Sequence, residues 1–269
     1  MNVMQRNNVH VHGRGPTTLV FVHGFGCDQN MWRLTEPAFR DKYRTVLLDL
    51  VGNGKSDLAL YDATKYASLD GYASDLLEVV KEVADGPVVF VGHSVSATIC
   101  MLAANREPDV VRAQIMVCPS PNYINDEGYI GGFTRPDIEG LLETLDANYL
   151  GWSAAMGPVI MGAPDRPELG VELTNSFCRT DPAIAAGFAR ATFLSDHRAD
   201  ARRCVTPTLI LQCTDDVIAP RSVGDFMHEA LVASDLALIE NVGHCPQLSA
   251  PAPTVAAIDA YLTTLLRPE

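Results

Sequence analysis

Three features that identify whole classes of protein are missing from these 269 residues. No stretch approaches the roughly 18 uninterrupted apolar residues of a transmembrane helix, so we predict no membrane partner. Residues 1–8 lack the apolar core of a signal peptide, which predicts a cytoplasmic protein. Basic residues are scarce, with 20 Lys and Arg against 33 Asp and Glu, and the net charge of −13 argues against nucleic acid as a partner.

Motifs for metals and nucleotides are missing as well. The seven cysteines include no C-x-x-C pair, and most lie in apolar runs, as is typical of reduced, buried structural thiols. His10 and His12 alternate in a predicted edge strand and could share one face, but surface histidines of this kind are commoner than metal ligands. Because His, Cys and Asp do not cluster in the sequence, we expect no metal. The glycine-rich loops carry no G-x-G-x-x-G or Walker lysine, so we expect no cofactor.

The most informative segment that is present reads VFVGHSVSA and spans residues 89–97. An apolar strand ends in a small-x-Ser-x-small turn, and a helix-forming segment follows. This is the form of a nucleophile elbow, in which a strained turn holds a serine hydroxyl at the edge of the sheet. The usual last residue is glycine, and Ser96, which is only slightly larger, occupies that position. The pattern predicts Ser94 as the nucleophile.

A nucleophilic serine needs a base, and the base needs an acid that orients it. A predicted strand over 207–213 leads into a loop at 214–220 that could carry the acid. A second predicted strand over 236–240 precedes a loop that contains His244. His244 is therefore the candidate base. Asp215 and Asp216 compete for the acid, because the sequence alone does not show which carboxylate faces the imidazole.

The loop at 23–26, which follows a predicted strand over 18–22, supplies a candidate oxyanion hole. Its flanking glycines let the backbone N–H of Phe25 turn toward a reacting carbonyl. The N–H of Val95, directly after the nucleophile, would be the second donor. A phosphate-binding loop is the competing interpretation, which the absence of a nucleotide motif disfavours.

Strands and helices alternate along most of the chain. Continuous apolar strands separated by helical patterns, such as those over 72–83, 95–104 and 253–266, predict an α/β fold: a mostly parallel sheet flanked by helices. The predicted strands lie at 9–12, 19–22, 45–49, 88–91, 114–118, 207–213 and 236–240. The alternation stops at 122–196, where four helices are predicted at 138–150, 152–160, 169–177 and 182–194. We interpret 122–196 as a helical cap, or lid, inserted in a core of residues 1–121 and 197–269.

Together these motifs resemble the α/β-hydrolase superfamily. More narrowly, seven segments resemble RsbQ-like bacterial stress-signalling hydrolases and the plant strigolactone and karrikin receptors, whose elbows also read G-H-S-V-S. In this superfamily the acid usually lies four residues before the loop proline, which favours Asp216 and gives the triad Ser94, Asp216 and His244. The resemblance covers essentially the whole chain. The segments are GFGCDQ at 24–29, GNGKSD at 52–57, LDGYA at 69–73, GHSVSA at 92–97, GGF at 131–133, SDHR at 195–198 and GHCP at 243–246.

The resemblance implies a V-shaped cap of four helices above a closed apolar pocket. It implies a serine hydrolase that cleaves small apolar carboxylic esters or lactones through an acyl-enzyme. It also implies an alternative, a signalling receptor that hydrolyses a small ligand slowly and binds a protein partner, a PAS-domain phosphatase in RsbQ-like proteins. A cofactor-free haloperoxidase or a C–C bond hydrolase can use the same triad. The positions that match the family's substrate-binding residues are Phe25, Tyr123, Phe133, Trp152, Met156 and Phe193.

Overall fold

Seven strands form one sheet in the order β1-β3-β2-β4-β5-β6-β7. The structure, a computed structural model, describes residues 2–267. Strands β2 to β7 run parallel to their neighbours, and β1 pairs antiparallel with β3 at one edge. All seven predicted strands are therefore confirmed, as is the mostly parallel sheet. The strands are β1 (His10–His12), β2 (Thr18–Val22), β3 (Arg44–Leu48), β4 (Val88–His93), β5 (Val111–Val117), β6 (Thr208–Asp215) and β7 (Ser234–Val242).

Eleven α-helices accompany the sheet in the part of the chain that the structure describes. The helices predicted over 72–83, 95–104 and 253–266 are present as α2, α3 and α11, and the four between 138 and 194 as α4 to α7. The sequence-based prediction did not include α1, α8, α9 or α10. The helices are α1 (Val3–Arg6), α2 (Leu69–Val83), α3 (Val95–Arg106), α4 (Arg135–Ala147), α5 (Tyr149–Met161), α6 (Pro167–Cys178), α7 (Pro182–Phe193), α8 (Arg198–Arg203), α9 (Arg221–Ala230), α10 (Pro246–Ser249) and α11 (Pro251–Leu265). None of the helices within residues 2–267 is long and apolar enough to span a bilayer.

Both faces of the central strands are buried, which explains their continuous apolar sequences. Because side chains alternate between the two faces of a strand, Val20 and Val22 of β2 join one hydrophobic cluster, and Leu19 and Phe21 join another. Helices α2 and α3 cover the first cluster, and α11 covers the second. The sheet therefore has helices on both sides, as predicted.

Helices α4 to α7 lie between β5 and α8 in the chain. Helix α5 packs against α6, and α4 packs against α7. Their inward apolar side chains, such as Leu145, Leu173 and Phe193, belong to the same cluster as Phe21 on the sheet. These helices therefore share one hydrophobic core with the sheet. The division into a core and a cap at residues 122–196 stays a prediction.

The strand order determines where a ligand can enter. Strands β3 and β4 lie on opposite sides of β2, so the chain leaves β2 toward one side and leaves β4 toward the other. At such a switch point the loops after the two strands diverge and open a crevice at their carboxyl ends. The loop at 23–26 and the turn around Ser94 both lie at this point.

Candidate active site

Ser94 occupies the sharp turn between β4 and α3. Its backbone has φ of 56° and ψ of −127°, a conformation that residues other than glycine rarely adopt. At Gly92, an added Cβ would lie 2.6 Å from the backbone oxygen of Ser96, so the turn requires glycine there. The strand, the strained turn and the helix of a nucleophile elbow are therefore all present.

Ser96 stands where the usual motif has glycine, and the structure shows what its side chain does. The buried Ser96 hydroxyl donates a hydrogen bond to the backbone carbonyl of His23, at the start of the loop 23–26. Glycine could not make this bond. The departure from the motif therefore ties the elbow to the loop that carries the candidate oxyanion donor.

Ser94, His244 and Asp216 form a continuous hydrogen-bonded row. The Ser94 Oγ to His244 Nε2 distance and the His244 Nδ1 to Asp216 Oδ2 distance are both 2.7 Å. A carboxylate accepts, so His244 Nδ1 carries the hydrogen and donates it. This leaves Nε2 of the neutral ring as the acceptor for the Ser94 hydroxyl, which is the arrangement that a general base requires.

The structure brings Asp216, and not Asp215, to the imidazole. Asp216 is 5% exposed, and its Oδ1 accepts hydrogen bonds from the backbone N–H groups of Ile218 at 2.9 Å and Ala219 at 3.1 Å. The Asp215 side chain is exposed, and its backbone carbonyl accepts from the N–H of Gly243. The two neighbouring carboxylates point to opposite environments, because successive side chains of an extended segment alternate.

Burial raises the pKa of the Asp216 carboxyl, but its partners outweigh burial. The charge and hydrogen bond of His244, together with the N–H groups of Ile218 and Ala219, lower this pKa below its ordinary value. Asp216 is therefore ionised at neutral pH. An ionised carboxylate on Nδ1 stabilises a positive charge that forms on the His244 ring.

Two further histidines support the site. Nε2–H of His93 donates to the backbone carbonyl of His244 over 2.7 Å, and burial lowers the pKa of His93 to about 3, so its ring is neutral. His23 donates from Nδ1 to the carbonyl of Gly24 at 2.8 Å and accepts the N–H of Leu50 on Nε2 at 3.0 Å. Both rings therefore hold the backbone of the site in place, through the His244 carbonyl in one case and through Gly24 and Leu50 in the other.

The backbone around Phe25 and Val95 offers two free donors. Among the residues that the structure describes, neither N–H donates a hydrogen bond within the protein. At Gly24, an added Cβ would lie 2.5 Å from His93 Nδ1, and Gly26 has a φ of 66° that favours glycine. The loop 23–26 can adopt this path because of its two glycines.

The C-terminal end of α5 contacts the loop that carries His244. The backbone N–H of His244 donates to the carbonyl of Ile160 over 2.8 Å. Gly162, in the left-handed conformation that ends the helix, lies against Gly243, so that an added Cβ on Gly162 would be 2.6 Å from the Gly243 Cα. Neither glycine leaves room for a side chain between helix and loop.

A narrow cavity leads to Ser94 and His244, and apolar side chains dominate its wall. The Phe25 ring is part of this wall, and its centroid lies 5.5–6.2 Å from those of Trp152, Phe177, Phe188 and Phe193. The volume of the cavity is about 40 Å³. Such a cavity favours a small apolar ligand.

A profile of the Alpha/beta hydrolase family matches residues 19–257. This chain belongs to the α/β-hydrolase family. Strigolactone esterase D14 of Arabidopsis thaliana is 36% identical over 252 residues, which cover 93% of this chain and 94% of the relative. Karrikin insensitive 2 receptor CA of Petunia hybrida is 33% identical over 267 residues, which cover 98% and 96%. The structure of a hydrolase from Oleispira antarctica matches with a TM-score of 0.95 at 39% identity, covering 97% of this chain and 96% of the other. The resemblance to this superfamily is thus confirmed.

Most of the predicted substrate-binding residues of this α/β-hydrolase line the cavity, but Phe133 does not. Its backbone N–H donates to the carbonyl of Tyr123 and its carbonyl accepts the N–H of Asn125, which holds the half-buried Phe133 ring outside the cavity wall. The residues that do line it are Phe25, Tyr123, Trp152, Met156 and Phe193.

Nine other lining residues were not among the predicted substrate-binding residues. One signal was available, since Trp152, Met156 and Ile160 recur at intervals of four and so share one face of α5. The others come from separate elements that only the folded hydrolase brings together. The nine residues are Cys27, His93, Leu141, Ile160, Leu173, Phe177, Thr192, Ile218 and Cys245.

Six of the seven thiols of this hydrolase are buried, as expected of structural cysteines, but Cys178 is exposed. Phe177 lies on the buried face of α6, and Cys178, the next and last residue of the helix, points away from that face. Burial raises the pKa of Cys27 and Cys245 in the cavity wall, which keeps both as neutral thiols.

The structure brings together one set of possible metal ligands that are far apart in the sequence. The ligand atoms of Cys118, Asp216 and His244 lie within 4.8 Å of one another. However, His244 Nδ1 and Asp216 Oδ2 are 2.7 Å apart and share a hydrogen. Two ligands that each lie about 2.0–2.1 Å from a tetrahedral zinc ion would be about 3.3 Å apart. The expected absence of a metal stays a prediction.

Proposed function

We propose that this protein is a serine hydrolase that cleaves small apolar carboxylic esters or lactones. The observation that carries the proposal is the row of Ser94, His244 and Asp216 at the end of a narrow apolar cavity. The esterase activity named for its relative in Arabidopsis thaliana supports the same chemistry. In this proposal residues 122–196 form a cap over a core of 1–121 and 197–269.

In the first half of the reaction, His244 Nε2 takes the proton of the Ser94 hydroxyl while Oγ attacks the carbonyl carbon. The tetrahedral oxyanion that forms accepts hydrogen bonds from the Phe25 and Val95 N–H groups, which donate to no other group within the described residues. Asp216 keeps the proton on Nδ1 and stabilises the imidazolium. His244 then gives its proton to the leaving alcohol, and an acyl-serine remains.

In the second half, water replaces the alcohol. His244 takes a proton from this water, whose oxygen attacks the acyl carbon, and the same two N–H groups bind the second oxyanion. The proton returns to Ser94 Oγ as the acid leaves. The ring proton on Nδ1 stays in place throughout, because the hydrogen bond to Asp216 is buried.

The test follows hydrolysis of p-nitrophenyl butyrate through many turnovers. We expect steady turnover by the natural sequence and a loss of about 10⁵–10⁶ in kcat for Ser94→Ala. Ser74→Ala, which removes a half-buried hydroxyl from α2, is the matched control and should keep full activity. Full esterase activity in Ser94→Ala would refute the proposal.

A second function has support in the comparison with the karrikin receptor of Petunia hybrida, which covers 98% of this chain. In this alternative the protein is a signalling receptor whose slow hydrolysis accompanies ligand-dependent binding of a partner protein. A PAS-domain phosphatase is the partner that the RsbQ-like resemblance suggests. A stoichiometric burst of p-nitrophenol followed by near silence would favour this alternative, whereas rapid turnover of many esters would count against it.

A further inference from the structure

One hydroxyl group among the residues that line the cavity has no contact with the triad. Thr192, near the end of α7, lines the cavity and is 1% exposed. Its Oγ1 has no hydrogen-bond partner among the residues that the structure describes. The side chains of Ser94, His244 and Tyr123 bond to or approach one another instead. The His93 ring donates from Nε2 to the His244 carbonyl, and its unpartnered Nδ1 can only accept.

The other hydroxyls within α4 to α7 behave differently. Thr144, Ser153 and Thr174 each donate to the backbone carbonyl four residues earlier, at 2.8, 2.8 and 3.0 Å. Ser176 donates to the carbonyl of Gly26. The same backbone bond is the usual solution for a threonine inside a helix. Thr192 does not make it, and its hydroxyl therefore stays available to a molecule in the cavity.

A buried hydroxyl without a partner is unfavourable, and a purely apolar ligand would leave it so. A ligand that places an oxygen opposite Thr192 removes this cost. Resting on the proposed hydrolase function, we propose that Thr192 Oγ1–H donates to an acceptor oxygen of the substrate other than the reacting carbonyl. The preferred substrates are then esters or lactones that carry a second oxygen, as an ether, a ring oxygen or a further carbonyl.

The test compares three acyl chains of equal length. We measure kcat/KM for 4-nitrophenyl pentanoate and for its analogues with oxygen at the third or fourth chain atom, ethoxyacetate and 3-methoxypropanoate. The quantity of interest is the ratio of each oxygen-containing ester to pentanoate, because effects on folding cancel in it. Thr192→Val should lower this ratio about tenfold for one or both analogues, the effect of one lost hydrogen bond. Thr192→Ser, which keeps the hydroxyl, should restore the ratio.

A binding measurement separates the two proposals. The methyl esters of the same acids are titrated into Ser94→Ala, with and without Thr192→Val, while the fluorescence of Trp152 in the cavity wall is followed. Weaker binding of only the oxygen-containing esters in Thr192→Val supports the subsite, even if no ester is hydrolysed and the proposed function fails. Equal binding and equal ratios in both backgrounds would overturn the subsite and leave the hydrolase intact.

Discussion

The floor and the roof of the cavity are built differently. The floor, which we define as the loops 23–26, 93–95, 216–219 and 243–245, is held by hydrogen bonds and by strained or glycine-dependent backbone. The roof, helices α4 to α7, meets the cavity mainly through apolar side chains. Hydrogen bonds depend on direction, whereas apolar packing tolerates substitutions of similar volume. In the proposed function, the floor governs the reaction and the roof governs which substrates enter.

The largest effect on kcat should come from a substitution in the floor at Asp216, which holds the His244 ring. Asp216→Asn leaves the shape of the site but removes the charge that orients and stabilises the His244 ring, and we expect kcat to fall about 10⁴-fold. Asp215→Asn, one residue earlier and exposed, is the control and should stay within a few-fold of the natural sequence. Steady-state kinetics on p-nitrophenyl butyrate checks both. Equal losses in the two variants would contradict the geometry.

The loss of stability that histidines cause at acid pH should arise in the floor, since α4 to α7 contain no histidine. The folded pKa of His93, about 3, lies below the ordinary histidine value of 6.5. Between these two pH values the unfolded chain binds a proton that the folded chain does not, so stability is lost as pH falls. His93 should contribute a slope of about 1.4 kcal/mol per pH unit. Urea unfolding at several pH values should give a flatter profile for His93→Asn, with exposed His228→Asn as the control.

Ser96→Ala should loosen the floor without touching the triad. It leaves the buried carbonyl of His23 without its hydroxyl donor, which should lower the free energy of unfolding by about 1–3 kcal/mol. We also expect kcat to fall about tenfold, because the loop with the Phe25 donor is less well held. Thr98 lies on the same helix as Ser96, and Thr98→Val breaks a similar bond to the Ser120 carbonyl, so it should reduce stability alone. If both variants keep full kcat, Ser96 has no part in positioning the loop.

A change in the roof should move selectivity more than rate. Met156→Ala enlarges the cavity on the inner face of α5, so the preference for p-nitrophenyl hexanoate over butyrate, measured as a ratio of kcat/KM, should rise about tenfold. Val159→Ala, on the exposed face of the same helix, should leave the ratio unchanged. A drop in kcat for all esters alike would mean that roof and floor are not separate in function.

The floor was the easier region to predict, because its motifs are local. Ser94 follows β4 directly and His244 follows β7 after one residue, and adjacent residues in the chain determine the elbow and the loops. The choice between Asp215 and Asp216 was different, since it depends on which side chain faces His244 across the sheet edge. The residues alone left that choice open, and the resemblance to the superfamily favoured Asp216.

The roof depends on how separate helices meet, and a single sequence does not state this. Phe133 was expected in the cavity and lies outside it, whereas Phe177 and Thr192 line it and were not among the predicted substrate-binding residues. Helices α1, α8 and α10 have four to six residues, too few for a helical period to be read. Helix α9 is long enough, and its pattern was overlooked.

The contact between Gly162 and Gly243 has a consequence for how this protein can vary over generations or in the laboratory. The end of α5 and the loop of His244 touch through two residues that admit no side chain, and the Ile160 carbonyl holds the His244 backbone. Helices α4 to α7 borrowed from a related protein would therefore carry their own position for the His244 imidazole. Residues 160–162 and 243–244 should be inherited together, and a graft that changes one set must also change the other.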